Sequence, residues 1–126
     1  MNFIPNDKEP VYLQIIKYFK QQIVIGEFKP GDIIPSRREM AVNIKVNPNT
    51  VQKAYRQMEE EGILLSYPGS KSVVVVNEEV TSKIRQELIS DEVLSFINSA
   101  KSMGFDLDQA KGVLDRYWTY EEEEVE

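Results

Sequence analysis

The sequence contains neither cysteine nor histidine. The first absence excludes disulfides, thiol nucleophiles and thiolate metal sites, and it is typical of a cytosolic protein. The second removes the commonest general base and the commonest transition-metal ligand. We therefore expect no enzymatic activity, no cofactor and no metal site.

Long apolar runs are also missing. The longest are VVVV at 73–76 and GILL at 62–65, far short of the roughly 20 residues that span a bilayer. The N-terminus lacks the basic-then-apolar pattern of a signal peptide. We expect a cytoplasmic protein that does not contact a membrane.

Acidic residues are unevenly spread along the 126 residues, whose formal net charge is -6. Residues 1–76 hold ten Lys and Arg against eight Asp and Glu, whereas residues 77–126 hold five against thirteen. A partner senses charge within about 8 to 10 Å at physiological salt, so local balance matters more than the total. The acidic sum does not exclude a polyanionic partner for the first part.

Helix and turn signals fill the first part. Apolar residues recur at spacings of three and four from Pro10 to Gly26, which predicts an amphipathic helix. Ser36 and Glu39 form a capping box for a short helix over 37–44. Asn47 is a good N-cap and Pro48 suits the first helical position, so a second helix should run from Pro48 to Glu61. Two helices joined by so few residues form a helix-turn-helix pattern.

Two extended apolar stretches follow, ILLSY and SVVVV, around the turn sequence PGSK, and they predict a β-hairpin. A long helix is then predicted from Thr81 to Met103, and Asp106 caps a last helix that ends in the acidic tail EEEEVE. The boundary between the two parts is expected at residues 77–80, which gives domains 1–76 and 77–126.

The helix predicted from Pro48 has no acid from Asn47 to Met58. Its apolar stripe is Val51, Ala54, Tyr55 and Met58, and its opposite stripe is Asn49, Gln52, Lys53 and Arg56. Amide and cationic side chains contact bases and phosphates. Arg37 and Arg38 precede this helix and Lys71 follows it, so three basic segments would share one face that meets nucleic acid.

Each of these residues has a structural alternative. Arg38 could pair with a neighbouring acid, and Arg37 could simply be exposed. Thr50 could support the helix cap, and Lys53 and Arg56 would bind phosphate if they bind at all. A solvated polar face is the general alternative for the whole stripe.

Residues 10–76 resemble the winged-helix DNA-binding domain of GntR-family bacterial transcription regulators. The resemblance rests on Gly26, Pro30, Gly31, Pro35, Ser36, Arg38, Ala41, Thr50, Val51, Ala54, Glu61 and Gly62, and VNPNTVQKAY is similar to the YtrA-like subfamily. It implies an α+β, mostly α fold: an N-terminal winged helix-turn-helix with a short C-terminal two-helix dimerisation segment.

Carried over by position, the family's DNA contacts fall on Arg38, Asn47, Asn49, Thr50 and Gln52, and on Gly69 in the wing at Pro68–Ser72. Lys71 stands where the wing's second glycine is expected, so the minor-groove contact is altered or replaced by a phosphate contact. Pro48 replaces a basic residue of some relatives. Major-groove readout would then rest on Asn49, Gln52 and Lys53.

The partners implied are a palindromic double-stranded DNA operator and a second copy of the chain, in a homodimeric repressor. The predicted dimer interface consists of Ile89, Val93, Phe96, Ala100, Leu107, Leu114, Tyr117 and Trp118. Any small-molecule effector would bind at this interface or between the domains, or regulation follows expression level alone. The alternative function is a winged-helix module that binds a protein partner and no DNA.

Overall fold

The computed structural model describes residues 3–67 and 71–120. The elements are α1 (Val11–Val24), β1 (Ile33–Ile34), α2 (Arg37–Ile44), α3 (Pro48–Glu60), β2 (Leu64–Ser66), β3 (Ser72–Val74), α4 (Glu78–Ser102) and α5 (Leu107–Tyr117). The strands form an antiparallel sheet in the order β1-β3-β2, with Val73 opposite both Ile33 and Leu65. Helices α1 to α3 with this hairpin make a winged helix-turn-helix, which confirms the predicted fold class.

The core of this part lies between α1, α3 and the sheet. Its fully buried side chains include the apolar stripe predicted for α3, namely Val51, Ala54, Tyr55 and Met58. The Phe19 ring of α1 lies 6.0 Å from the Tyr55 ring and 5.2 Å from the Phe28 ring, centroid to centroid. Aromatic pairs at these separations add to the stability gained from burial alone.

The ends of α2 and α3 follow from short-range chemistry. Ser36 Oγ accepts a hydrogen bond from the Glu39 N–H, and a Glu39 carboxylate oxygen accepts one from the Ser36 N–H, both at 3.1 Å. Lys45 ends α2 in a left-handed conformation with φ 55°, and Asn47 then caps α3 through its side chain. The predicted caps of both helices are confirmed.

Two predicted helix limits are wrong by a few residues. Helix α3 ends at Glu60 rather than Glu61, and Gly62 leaves the helix with φ 77°. Helix α4 begins at Glu78 rather than Thr81, because Asn77 Oδ1 accepts the Val80 N–H at 2.8 Å and so caps an earlier start.

The chain divides into two compact units, Met1–Glu87 and Leu88–Glu126, and this division falls within α4. The domains 1–76 and 77–126 stay a prediction. The first turns of α4 belong to the first unit because Ile84 is buried. Lys20 Nζ also contacts carboxylate oxygens of Glu61 at 2.9 Å and of Glu87 at 3.6 Å. Within residues 3–67 and 71–120, no helix combines the length and the apolar composition that a membrane span needs.

Candidate nucleic-acid interface

The polar stripe of α3 faces away from the core. With its apolar side chains buried on one side, the helix leaves Asn49, Lys53 and Arg56 exposed and Gln52 half-buried. Asn47 Oδ1 accepts the Asn49 N–H at 2.8 Å, so the cap uses the oxygen of Asn47 and leaves its amide nitrogen as a donor. The start of α3 therefore presents hydrogen-bonding groups without a neighbouring acid.

Lys53 is held towards α1. Its Nζ lies 4.0 Å from the centroid of the Tyr12 ring, a distance at which the ring attracts an ammonium group. Tyr12 is half-buried, so its ring packs partly against the protein and partly supports Lys53. Lys53, one of the two cations of the polar stripe of α3, therefore contacts the neighbouring helix α1.

The two arginines at the start of α2 have different surroundings. Arg37 forms an ion pair with Glu59 at the end of α3, and its side chain is 37% exposed. Arg38 is exposed, and it has no ion-pair partner within the described part of the chain. An ion pair with a neighbouring acid was the alternative role predicted for Arg38. In the structure it is Arg37 that forms an ion pair.

A cleft separates the start of α2 from the wing strands. Its volume is about 300 Å³, and it is lined by Ser36, Arg37, Arg38, Ser66, Tyr67, Lys71 and Ser72. Arg38 and Lys71, which the sequence placed in separate basic segments, therefore lie along the same concavity. Two exposed cations on one cleft favour binding of an anion, such as a phosphate of a DNA backbone.

The tip of the wing is only partly described. The Tyr67 N–H donates to the Lys71 carbonyl oxygen at 2.8 Å, which closes the hairpin on either side of residues 68–70. The predicted contact at Gly69 lies outside the described residues, as do Pro68 and the acidic run 121–124. Tyr67 is exposed on the cleft, where its hydroxyl is available to a phosphate.

Sequence reasoning missed a polar network behind this cleft. Glu59 accepts a hydrogen bond from Ser66 Oγ at 3.3 Å, and the hydroxyls of Ser66 and Ser72 lie 3.0 Å apart. Ser72 is only 2% exposed. The predicted hairpin contained one signal of this network. Ser66 and Ser72 are paired in the hairpin, and both occupy positions whose side chains point to the inner face of the sheet.

Two side chains near the cleft, Tyr55 and Glu39, have shifted pKa values. Burial raises the pKa of the Tyr55 hydroxyl well above its usual range, so this group stays neutral and donates to the Pro35 carbonyl oxygen at 2.6 Å. Hydrogen bonds from Ser36 lower the pKa of the Glu39 carboxyl from its usual 4.5. The hydrogen bonds of these two side chains hold the segment that leads into α2.

The predicted dimer residues lie in the second unit. Phe96 is half-buried and Ala100 is buried. The other six side chains are exposed, to between 45% and 83%: Ile89, Val93, Leu107, Leu114, Tyr117 and Trp118. Trp118 reaches 83% exposure. Exposed apolar residues at helical spacing on α4 and α5 are typical of a surface that another molecule covers.

Comparison with known proteins extends these observations. Residues 11–74 match the family described as bacterial regulatory proteins, gntR family. The chain is 36% identical over 106 residues to the HTH-type transcriptional repressor YtrA of Bacillus subtilis (strain 168), covering 83% of this chain and 82% of that protein. It is 35% identical over 96 residues to the uncharacterized HTH-type transcriptional regulator YhcF of the same strain, covering 76% and 79%.

A solved structure agrees with the sequence matches. The GntR family transcriptional regulator from Listeria monocytogenes superposes with a TM-score of 0.80 at 26% identity, covering 89% of this chain and 98% of that chain. The agreement covers more than the winged helix, because it extends over most of both chains.

Proposed function

This chain belongs to the gntR family of bacterial regulatory proteins and is a DNA-binding transcription regulator, and from that premise we propose that it is a homodimeric repressor of a palindromic operator. The proposal takes the repressor role from its similarity to YtrA. The site residues, the dimer and the operator symmetry are the parts that experiment must establish.

The proposed DNA contacts rest mainly on one observation: Arg38 and Lys71 line the same cleft. We assign phosphate contacts to these two residues and to Lys53 and Arg56 on α3. We assign base-edge contacts to Asn49 and Gln52 on the polar stripe of α3, and further contacts to Asn47 and Thr50 at the same helix end. Groups that contact phosphate set the register, and groups that contact base edges give the sequence preference.

The wing is expected to contribute affinity more than sequence preference. Lys71 faces the cleft beside Arg38, and an ammonium group there binds the DNA backbone irrespective of sequence. A glycine at this position would instead allow the wing backbone to approach the minor groove closely. The wing contact at Gly69 is part of the same proposal.

Dimerisation is assigned to the second unit. Its exposed apolar side chains would be covered by the same surface of a second copy, as in a two-fold symmetric dimer. Two copies of α3 would then enter successive major grooves roughly 34 to 36 Å apart. The acidic character of residues 77–126 suits a segment that lies away from the DNA.

No enzymatic activity is proposed, and the location is taken to be the cytoplasm, where a DNA-binding regulator of a bacterial family acts. Any effector would bind at the dimer interface or between the domains. A thermal-shift screen with candidate metabolites tests for such a site. A concentration-dependent rise in the unfolding temperature identifies an effector, and its absence throughout the screen favours regulation by expression level.

Selection of bound sequences from a random DNA pool tests the proposed function. We expect enrichment of an inverted repeat whose half-sites are about one helical turn, 10 to 10.5 base pairs, or a multiple of it apart. Gln52→Ala should relax the preference at one base pair of each half-site. Recovery of no sequence, together with no salt-dependent binding to random DNA, would support the protein-interaction module instead.

A further inference from the structure

Glu59 is an acid placed beside the proposed DNA-binding surface. Its side chain is 27% exposed, and it contacts two residues that line the cleft, Arg37 and Ser66. Carboxylates repel phosphates, so an acid at this position is expected to lower the affinity for DNA unless its charge is engaged by the protein itself. The contacts of Glu59 show that it is engaged.

One carboxylate oxygen of Glu59 joins several elements. Oε1 accepts a hydrogen bond from Arg37 at the start of α2 and one from Ser66 Oγ of β2 at 3.3 Å. Because the Ser66 hydroxyl has a single hydrogen, Ser72 Oγ of β3, 3.0 Å away, donates to Ser66. The end of α3 is therefore hydrogen-bonded to α2 and to β2, and it is connected to β3 through Ser66.

Two of the three guanidinium nitrogens of Arg37 are engaged or buried within the protein. Its Nη2 is engaged by Glu59, and its Nε is buried without a hydrogen-bond partner in the part of the chain that the structure describes. A buried Nε cannot reach a phosphate outside the protein. The neighbouring Arg38, which is exposed, has its guanidinium group free for that contact.

We propose that Glu59 and Arg37 are positioning residues for DNA binding: their ion pair, extended by Ser66 and Ser72, fixes the start of α2 and the wing so that Arg38 and Lys71 reach the same stretch of DNA backbone. The inference rests on the proposed function. It assigns Arg37 a positioning role in place of the predicted DNA contact, and it makes an acid favourable for binding a polyanion.

Charge-neutral substitution of the acid gives the sharpest test. We expect Glu59→Gln to weaken binding to the selected operator about three- to tenfold, because a partly buried ion pair is lost. Glu60→Gln is the matched control, since it removes the same charge from an exposed neighbour. The control should bind as tightly as the wild type or slightly more tightly. Unchanged or tighter binding by Glu59→Gln would overturn the proposal.

Arg37→Gln separates positioning from direct contact. We expect it to weaken binding by about the same factor, with the slope of log K against log salt unchanged, and the double variant Arg37→Gln/Glu59→Gln to bind no more weakly than either single variant. A slope reduced in magnitude by about 0.9 would mean that Arg37 neutralises a phosphate. That result, like a lowered unfolding temperature with wild-type affinity, would contradict a positioning role.

Exchange of the two charges covers the case in which a single variant fails to fold. Arg37→Glu/Glu59→Arg keeps the net charge and can restore the ion pair, so it should bind the operator more tightly than either reversal alone. Binding no better than the single reversals would overturn the proposal. If the wild-type protein binds no DNA at all, the proposed function fails first, and this inference fails with it.

Discussion

The two compact units differ in how far they bury their apolar side chains. The first has a closed core of large apolar residues, with Phe19, Met40, Tyr55 and Met58 at 0% exposure. In the second unit the buried apolar residue among those described is Ala100, at 8%. Burial of apolar area contributes about 25 cal/mol per Å², so the second unit forgoes most of this stabilisation within one chain.

This difference assigns separate tasks to the two units. A domain with a closed core can present a polar face of fixed geometry, and the first unit does so with α3, the start of α2 and the wing. The second unit leaves Val93, Leu114 and Trp118 exposed, and in the proposed dimer a second copy of the chain covers them. The charge follows the same division, since the acids concentrate in the second half of the sequence.

The largest expected effect comes from opening the core of the first unit. Phe19→Ala should lower the free energy of unfolding by about 3 to 5 kcal/mol, because the ring is fully buried and leaves a cavity. Urea unfolding measures the loss, which should not depend on protein concentration. Ile33→Ala, at an exposed position, is the control and should change stability by about 0.5 kcal/mol or less. A similar loss for both would contradict the assigned core.

The next largest effect concerns the exposed face of the second unit. Val93→Glu should convert a dimer to a monomer and weaken binding to a two-half-site operator about 100-fold, since each half-site then binds alone. Light scattering and titration with one-site and two-site DNA measure both changes. Ser95→Glu introduces the same charge at an exposed polar position of the same helix and should have little effect. A Val93→Glu protein that remains dimeric would contradict the assignment of the dimer interface to the second unit.

A smaller effect is expected where α3 is joined to the segment before α2. Tyr55→Phe removes the hydrogen bond to the Pro35 carbonyl oxygen and should destabilise the protein by about 1 to 2 kcal/mol. Tyr67→Phe removes an exposed hydroxyl and should have almost no effect on unfolding. Equal stability of the two variants would show that the buried hydroxyl does not hold the first unit together.

The smallest effect is a pH dependence at the cap of α2. Hydrogen bonds from Ser36 lower the pKa of the Glu39 carboxyl from 4.5. A lowered folded-state pKa contributes stability that is present above the unfolded value and is lost as the pH falls through the folded value. The unfolding temperature of the wild type should therefore slightly exceed that of Glu39→Gln near neutral pH and approach it in acid, about pH 3. A constant difference would contradict the assigned ionisation.

Short-range chemistry explains why much of the fold could be predicted. The cap residues Ser36 and Asn47 act within three residues, and the apolar stripe of α3 repeats with the helical period, so both are readable from sequence. The start of α4 was misplaced because the prediction began the helix with its apolar repeat and not with the cap at Asn77.

Long-range pairing explains what could not be predicted. Arg37 and Glu59 are separated by 22 residues, and nothing in the sequence selects Arg37 over Arg38 as the partner of an acid. The same holds for Lys53 and Tyr12, which come together only when α1 packs on α3. The polar stripe of α3 was therefore predictable from the sequence, whereas the pairing of Arg37 with Glu59 and of Lys53 with Tyr12 depends on long-range packing.

The salt dependence of operator binding tests the central claim most directly. For the wild type, log K should fall linearly with log salt, by about 0.9 for each phosphate contacted. Arg38→Ala should weaken binding and reduce the magnitude of that slope by about one such unit, whereas Arg85→Ala, at an exposed position on α4, should change neither. Equal affinity and equal slope for the wild type and Arg38→Ala would contradict the DNA-binding surface described here.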